Sequence, residues 1–102
     1  MEEVTLMKRE AAGLEFALSG DIDLSNAEEF YTVVIEEYQK SPADVSFDCE
    51  KLNFIDSTTL GTFVKILKRV KSDGFALKIS ALQPKIKKLF LICSLDSIME
   101  IA

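Results

Sequence analysis

The order in which two hydrophobic periods follow one another constrains this chain more than any other feature. In Leu14-Glu15-Phe16-Ala17-Leu18 and in Asp44-Val45-Ser46-Phe47-Asp48-Cys49, apolar residues alternate with other side chains, as they do in half-buried strands. Between and after these stretches they recur at spacings of three and four. Ala27, Phe30, Val34 and Tyr38 make one such stripe, and Leu60, Phe63, Val64, Leu67 and Val70 make another, each the inner face of an amphipathic helix. A strand that leads through a helix to the next strand is the pattern of right-handed crossovers and a parallel sheet.

The remaining signals extend this order. Val4 to Arg9 is predicted as a first strand, with Ala12-Gly13 turning it back onto strand two as an antiparallel hairpin. Ser25-Asn26-Ala27-Glu28 has the form of a capping box, so the first helix is predicted to start there and run to about Gln39. Glu28, Glu29, Glu36 and Glu37 fall on its water-facing side, with an acidic docking face as the other reading. Ser41-Pro42 ends it, and a second helix begins at Ser57 or just after and stops at Gly74. Phe75 to Ser80 is a fourth strand, Pro84 opens a third helix in the first-turn position that proline tolerates, and Ser97 to Ile101 is a short strand or a helix fragment. The order β-β-α-β-α-β-α predicts an α/β fold with a mixed, mostly parallel sheet of four or five strands and helices packed on it. Without repeats or Pro/Gly-rich linkers, residues 1–102 are expected to form one domain.

Composition removes several kinds of chemistry. The chain has no histidine, so a Ser-His or Cys-His nucleophilic pair cannot be built from it. Cys49 and Cys93 are far apart with no CxxC, which suggests neither zinc nor a disulfide framework, and both are expected to be reduced core thiols. Net charge is −5, yet residues 1–56 hold 14 acidic and 4 basic side chains and residues 57–102 hold 3 and 8. The cations Lys65, Lys68, Arg69 and Lys71 crowd the end of the second helix, where they complement its dipole, so nucleic acid is not an expected partner. An acidic start and the lack of a run of ~20 apolar residues predict a cytoplasmic protein with no membrane contact.

Parallel sheets offer binding positions beyond the carboxyl ends of their strands. The segments that follow strands two, three and four are Gly20-Asp21-Ile22-Asp23, Asn53 to Ser57, and Ala81-Leu82-Gln83-Pro84, and all three are predicted to lie along one edge. Asp56 and Ser57 stand at a helix N-terminus, where either can accept from an orphan backbone N–H and where an anion is favoured. Asp21 and Asp23 admit three readings. They shape the loop before helix one, or bind a divalent metal, for which two carboxylates are a weak signal, or one of them or Asp56 orients the Ser57 hydroxyl toward an incoming phosphoryl group.

Asp56-Ser57-Thr58-Thr59-Leu60-Gly61 resembles the Asp-Ser-Ser/Thr-Gly-Leu-Gly signature of the STAS domain family, and specifically of its single-domain bacterial anti-sigma factor antagonists. Ser19-Gly20-Asp21-Ile22-Asp23 is similar to the family's Thr-Gly-Glu-Leu-Asp, and Gln83-Pro84-Lys85-Ile86-Lys87-Lys88-Leu89-Phe90 to its Pro-x-Val-x-Arg-Leu-Phe helix. The resemblance implies a binding protein rather than an enzyme, with no cofactor and no metal. Its partner would be an anti-sigma factor that is an ATP-dependent serine kinase, Ser57 the residue phosphorylated to end binding, and a PP2C-type phosphatase the means of reset. It places the docking surface on Asp21, Asp23, Asp56, Ser57, Thr58, Thr59 and Gly61. Two positions depart from the pattern. Thr59 stands where glycine is usual and is expected to put a branched side chain beside the acceptor, and Ser94 stands where a glycine often follows the third helix. Two other functions belong to different classes: a STAS subunit docked constitutively on a membrane transporter or signalling scaffold, and a carboxyl edge that binds a nucleotide or another small ligand, although no P-loop pattern is present.

Overall fold

A computed structural model describes residues 3–10 and 13–101. In chain order the elements are β1 (Val4–Glu10), β2 (Gly13–Ile22), α1 (Ala27–Lys40), β3 (Val45–Ile55), α2 (Ser57–Ser72), β4 (Leu77–Ser80), α3 (Pro84–Ile92), a 3-10 turn (Leu95–Ser97) and β5 (Glu100–Ile101). The expected α/β order is present, and the chain's last segment is both a helical turn and a strand. The turn placed at Ala12-Gly13 falls partly outside the described residues.

The five strands lie in the order β1-β2-β3-β4-β5, with β1 antiparallel to β2 and the others parallel. Each crossover steps to the next position in the same direction, and right-handed crossovers that never reverse place their helices on one face. The aromatic side chains confirm this arrangement. Phe47 of β3 meets Phe30 of α1 and Phe63 of α2 with ring centroids 5.9 and 5.5 Å apart, and Phe63 meets Phe90 of α3 at 5.4 Å, all edge-on. On the other face Ala17, Ser19, Asp48 and Glu50 line an open groove.

β2 and β3 are longer than their alternation predicts. Ala17 pairs with Asp48 but Ser19 with Lys51, and Gly20 pairs with Leu52 but Asp21 with Phe54, so β3 carries two extra residues. Each bulge shifts the in-out pattern by one, which hides the second half of the strand from a period-two reading. Both helical stripes are inside, though Leu60 and Val64 are only partly buried and Ile66 takes a full core position instead. α2 ends in a Schellman motif: Phe75 N–H donates to the Val70 carbonyl, Gly74 N–H to that of Lys71, and Gly74 has φ 86°. Ser94, in the position of the usual glycine, takes the left-handed conformation with φ 56°.

Two expectations are corrected. The Ser25/Glu28 capping box does not form. The Ser25 hydroxyl and backbone N–H both donate to Asp23 Oδ1, at 2.6 and 2.9 Å, and the helix starts at Ala27 after Asn26. Asp23 takes the backbone N–H that the box would give to the Glu28 side chain, and Ser25 stands one residue ahead of the cap position, so its oxygen does not serve the first turn. Cys49 is buried as expected, and burial, with Asp48 adding to it, pushes its thiol up to about 12. Cys93, however, is exposed at the end of α3, where Leu91 and Ile92 are exposed as well.

Phe63 joins all three helices to the sheet through its ring contacts. Phe63→Ala should therefore cost about 3–5 kcal/mol, measured by urea unfolding with an unchanged m-value. A loss below about 1 kcal/mol would show that the ring cluster does not hold the layers together.

Candidate functional site

Beyond the β2–β3 pairing that runs to Ile22 and Ile55, the edge where β2, β3 and β4 end is held together by side chains. Asp56, in extended backbone just before α2, uses both carboxylate oxygens. Oδ1 accepts from the Thr59 N–H at 2.9 Å and lies 3.0 Å from the Thr59 hydroxyl, and Oδ2 accepts from the Leu24 N–H at 2.9 Å. The N-cap of α2 thereby also fastens the β2–α1 loop. That loop has its own supports. The Asp23 N–H donates to Asn26 Oδ1 at 2.8 Å, Asn26 Nδ2 donates to the Asp21 carbonyl at 3.0 Å, and the Asp23 carbonyl receives the N–H groups of Asn26 and Ala27. On the far side Gln83 Nε2 donates to Asn53 Oδ1 at 3.0 Å, joining the segment after β4 to the end of β3. The three predicted segments do share one edge.

Asp56 is the cap, and Ser57 is the first helical residue. The Ser57 side chain is exposed, and no described residue hydrogen-bonds its hydroxyl. The reading in which a carboxylate orients that hydroxyl is therefore corrected: Asp56 is occupied by Thr59 and Leu24, and Asp23 by Ser25. Among the described residues no group of three His, Cys, Asp or Glu side chains comes together to hold a metal ion.

The expected docking residues fall into three sets. Asp21, Ser57, Thr58 and Gly61 are exposed, and Asp23 and Asp56 are half-buried. Thr59 is fully buried, with its hydroxyl on the Ile22 carbonyl, so the expectation that it stands in a partner's path is corrected. Gly61 lies on the outer side of α2, and a Cβ added there would meet nothing within 4 Å. Its missing side chain leaves bare helix backbone beside Ser57 and Thr58.

Two apolar residues complete the edge and escape the sequence reading. Leu24 is 75% exposed and Phe54 48% exposed. Phe54 pairs with Asp21 across the second bulge, and Leu24 is fastened to Asp56. Phe54 reads as a core position from composition alone, because only the bulge turns it outward. Leu24 gave a fairer signal, as an apolar residue set between Asp23 and Ser25 in a turn.

Backbone donation from Thr59, with Leu24 and the Thr59 hydroxyl adding to it, holds the Asp56 carboxyl below its ordinary value of 3.8. A depressed folded value means that this stabilisation is complete above the unfolded value and is lost as pH falls through the lower folded one. Asp73 has the same sign, lowered by the Tyr38 hydroxyl and by Arg69. An Asn side chain keeps an oxygen for Thr59 but turns an amide N–H toward the Leu24 N–H, so it loses that tie. Asp56→Asn should therefore melt below wild type at pH 7 and show a smaller, though still present, drop in Tm between pH 5 and 2, whereas an equal drop would remove Asp56 from the acid response.

Comparison with known proteins bears on this edge. The family model described as STAS domain matches residues 5–102. The anti-sigma-B factor antagonist of Bacillus subtilis is 28% identical over 96 residues, 94% of this chain and 87% of that protein. Among solved structures, the anti-sigma factor antagonist SpoIIAA in its unphosphorylated form superposes with a TM-score of 0.83 at 17% identity, over 97% of this chain and 87% of that one. The phosphorylated form of SpoIIAA, from Bacillus, gives 0.76 at 17% identity, over 97% and 90%. At that identity the likeness is one of fold.

Proposed function

The chain belongs to the STAS domain family, and from that premise we propose that it is an anti-sigma factor antagonist, a cytoplasmic binding regulator and not an enzyme. In its unmodified form it holds an anti-sigma factor that is also an ATP-dependent serine kinase, and so frees a sigma factor. The kinase transfers the γ-phosphoryl group of ATP to Ser57 Oγ. The serine proton passes to a base on the kinase and ADP leaves, after which the phosphorylated chain no longer binds. A PP2C-type phosphatase restores it, water taking the phosphoryl group off as inorganic phosphate.

One observation carries this reading. Ser57 opens α2, yet Asp56 performs the capping, so the Ser57 hydroxyl is exposed and has no structural duty. A phosphate there adds about −1.5 to −2 charges at pH 7. Within the domain that charge meets the favourable end of the α2 dipole and the first-turn N–H groups that lack an intrahelical acceptor. The fold is left alone. At an interface the same charge joins Asp21, Asp23 and Asp56, and burying it without a facing cation costs several kcal/mol, where ~1.4 kcal/mol is tenfold in affinity.

Ser57→Asp is therefore expected to leave the circular dichroism spectrum unchanged and to weaken partner binding. The experiment is a pull-down from the native host with wild-type and Ser57→Asp baits. Capture of an anti-sigma kinase by wild type alone supports the switch, and equal retention of one transporter or scaffold protein by both overturns it. Gly61→Ala separates docking from folding. It should stabilise the isolated chain by roughly 0.5–1 kcal/mol and weaken capture, and an Ala variant that captures as well as wild type would take Gly61 off the surface.

A further inference from the structure

Thr59 is the one buried polar residue among the described residues. Its hydroxyl lies 2.5 Å from the Ile22 carbonyl oxygen and 3.0 Å from Asp56 Oδ1. Both neighbours are acceptors and a hydroxyl has one proton, so that proton is shared between the last residue of β2 and the cap of α2. The second Asp56 oxygen takes the Leu24 N–H. Ile22, Thr59, Asp56 and Leu24 thus form a closed circuit that brackets Asp23 on both sides. Among the described residues these are the two hydrogen bonds that join the segment from Asp21 to Leu24 to the start of α2.

We propose that Thr59 is a positioning residue: its buried hydroxyl fixes the Asp21–Leu24 segment against Ser57, so that the acceptor, the carboxylates and the exposed Leu24 side chain are presented to a partner in one fixed arrangement. This rests on the reading of the edge as a docking surface. The chemistry of the residue sets what the circuit needs. Valine has nearly the same shape and would fill the same space, but it supplies no proton, leaving the Ile22 carbonyl without this donor and Asp56 without one of its three contacts. Serine keeps the proton and gives up a methyl group. A role in packing and a role in positioning therefore rank the two substitutions in opposite orders.

The test is amide hydrogen exchange by NMR on wild type, Thr59→Val and Thr59→Ser, read at Leu24 and, as internal references, in β4 and α3. Thr59→Val should raise exchange at Leu24 about tenfold, the loss of one hydrogen bond of ~1.4 kcal/mol, with the reference amides unchanged. Thr59→Ser should keep Leu24 at the wild-type rate. Unchanged Leu24 exchange in Thr59→Val, or a rise spread equally over β4 and α3, overturns the proposal. If Thr59→Val does not fold, Thr59→Ser decides: Leu24 stays protected if the hydroxyl holds the segment and is exposed if packing does. Exchange requires no partner, so this arm stands or falls apart from the switch. The second arm compares capture of the kinase retained by the wild-type bait. Capture should fall several-fold with Thr59→Val and return with Thr59→Ser, and wild-type capture by Thr59→Val would show that the fixed arrangement does not matter for binding.

Discussion

The carboxylate of Asp56 is the interaction on which the rest of the edge depends. A helix that starts at the end of a strand needs an acceptor for its first-turn N–H groups, and an extended Asp just before it is among the best available. In this chain one oxygen meets that need at Thr59, and the other holds the backbone of Leu24, 32 residues away in sequence. A local requirement of helix formation is thus turned into a tertiary tie. Because Asp56 does the capping, its neighbour Ser57 has no part in it, and its hydroxyl at the helix N-terminus has no hydrogen-bond partner among the described residues.

The direction in which the sheet is wound decides what sort of surface that edge can be. Doubly wound sheets reverse their strand order, and the reversal opens a crevice that holds small ligands. The order β1-β2-β3-β4-β5 has no reversal. The ends of β2, β3 and β4 are drawn together by the Asp56–Leu24 and Gln83–Asn53 hydrogen bonds, and the exposed Leu24, Phe54, Ser57 and Thr58 stand along them. Such an edge suits another protein better than a nucleotide. Asp21, Asp23 and Asp56 put negative charge along this edge, and a phosphate would add to a charge that an interface without a facing cation has to bury.

Much of this was legible in the sequence because most of the chain obeys one period at a time. The two amphipathic stripes, Pro84 at the start of α3 and Gly74 after α2 each act through a local rule that tertiary structure did not override. What escaped were the places where two rules compete. The bulges in β3 break the alternation after Cys49, so the outward turn of Phe54 could not be read from the pattern. Ser25 has the residue type of a cap, but Asp23 competes for it and wins. Thr59 was read as an obstacle to a partner because it stands where the resembled pattern has glycine and carries a branched side chain beside Ser57. Its burial follows from the closeness of Ile22, a contact between residues 37 apart that no local pattern carries. Cys93 was placed inside on composition, where a nine-residue helix with two fully buried side chains leaves its end in water.

The measurement that reaches the central claim most directly is phosphosite mapping. The purified chain would be incubated with the captured kinase and ATP, and its intact mass and phosphopeptides recorded. The account predicts a single added phosphoryl group on Ser57, together with dissociation of the complex as it accumulates. Modification at Thr58 or elsewhere with Ser57 untouched, or full phosphorylation of Ser57 in a complex that stays together, would contradict it.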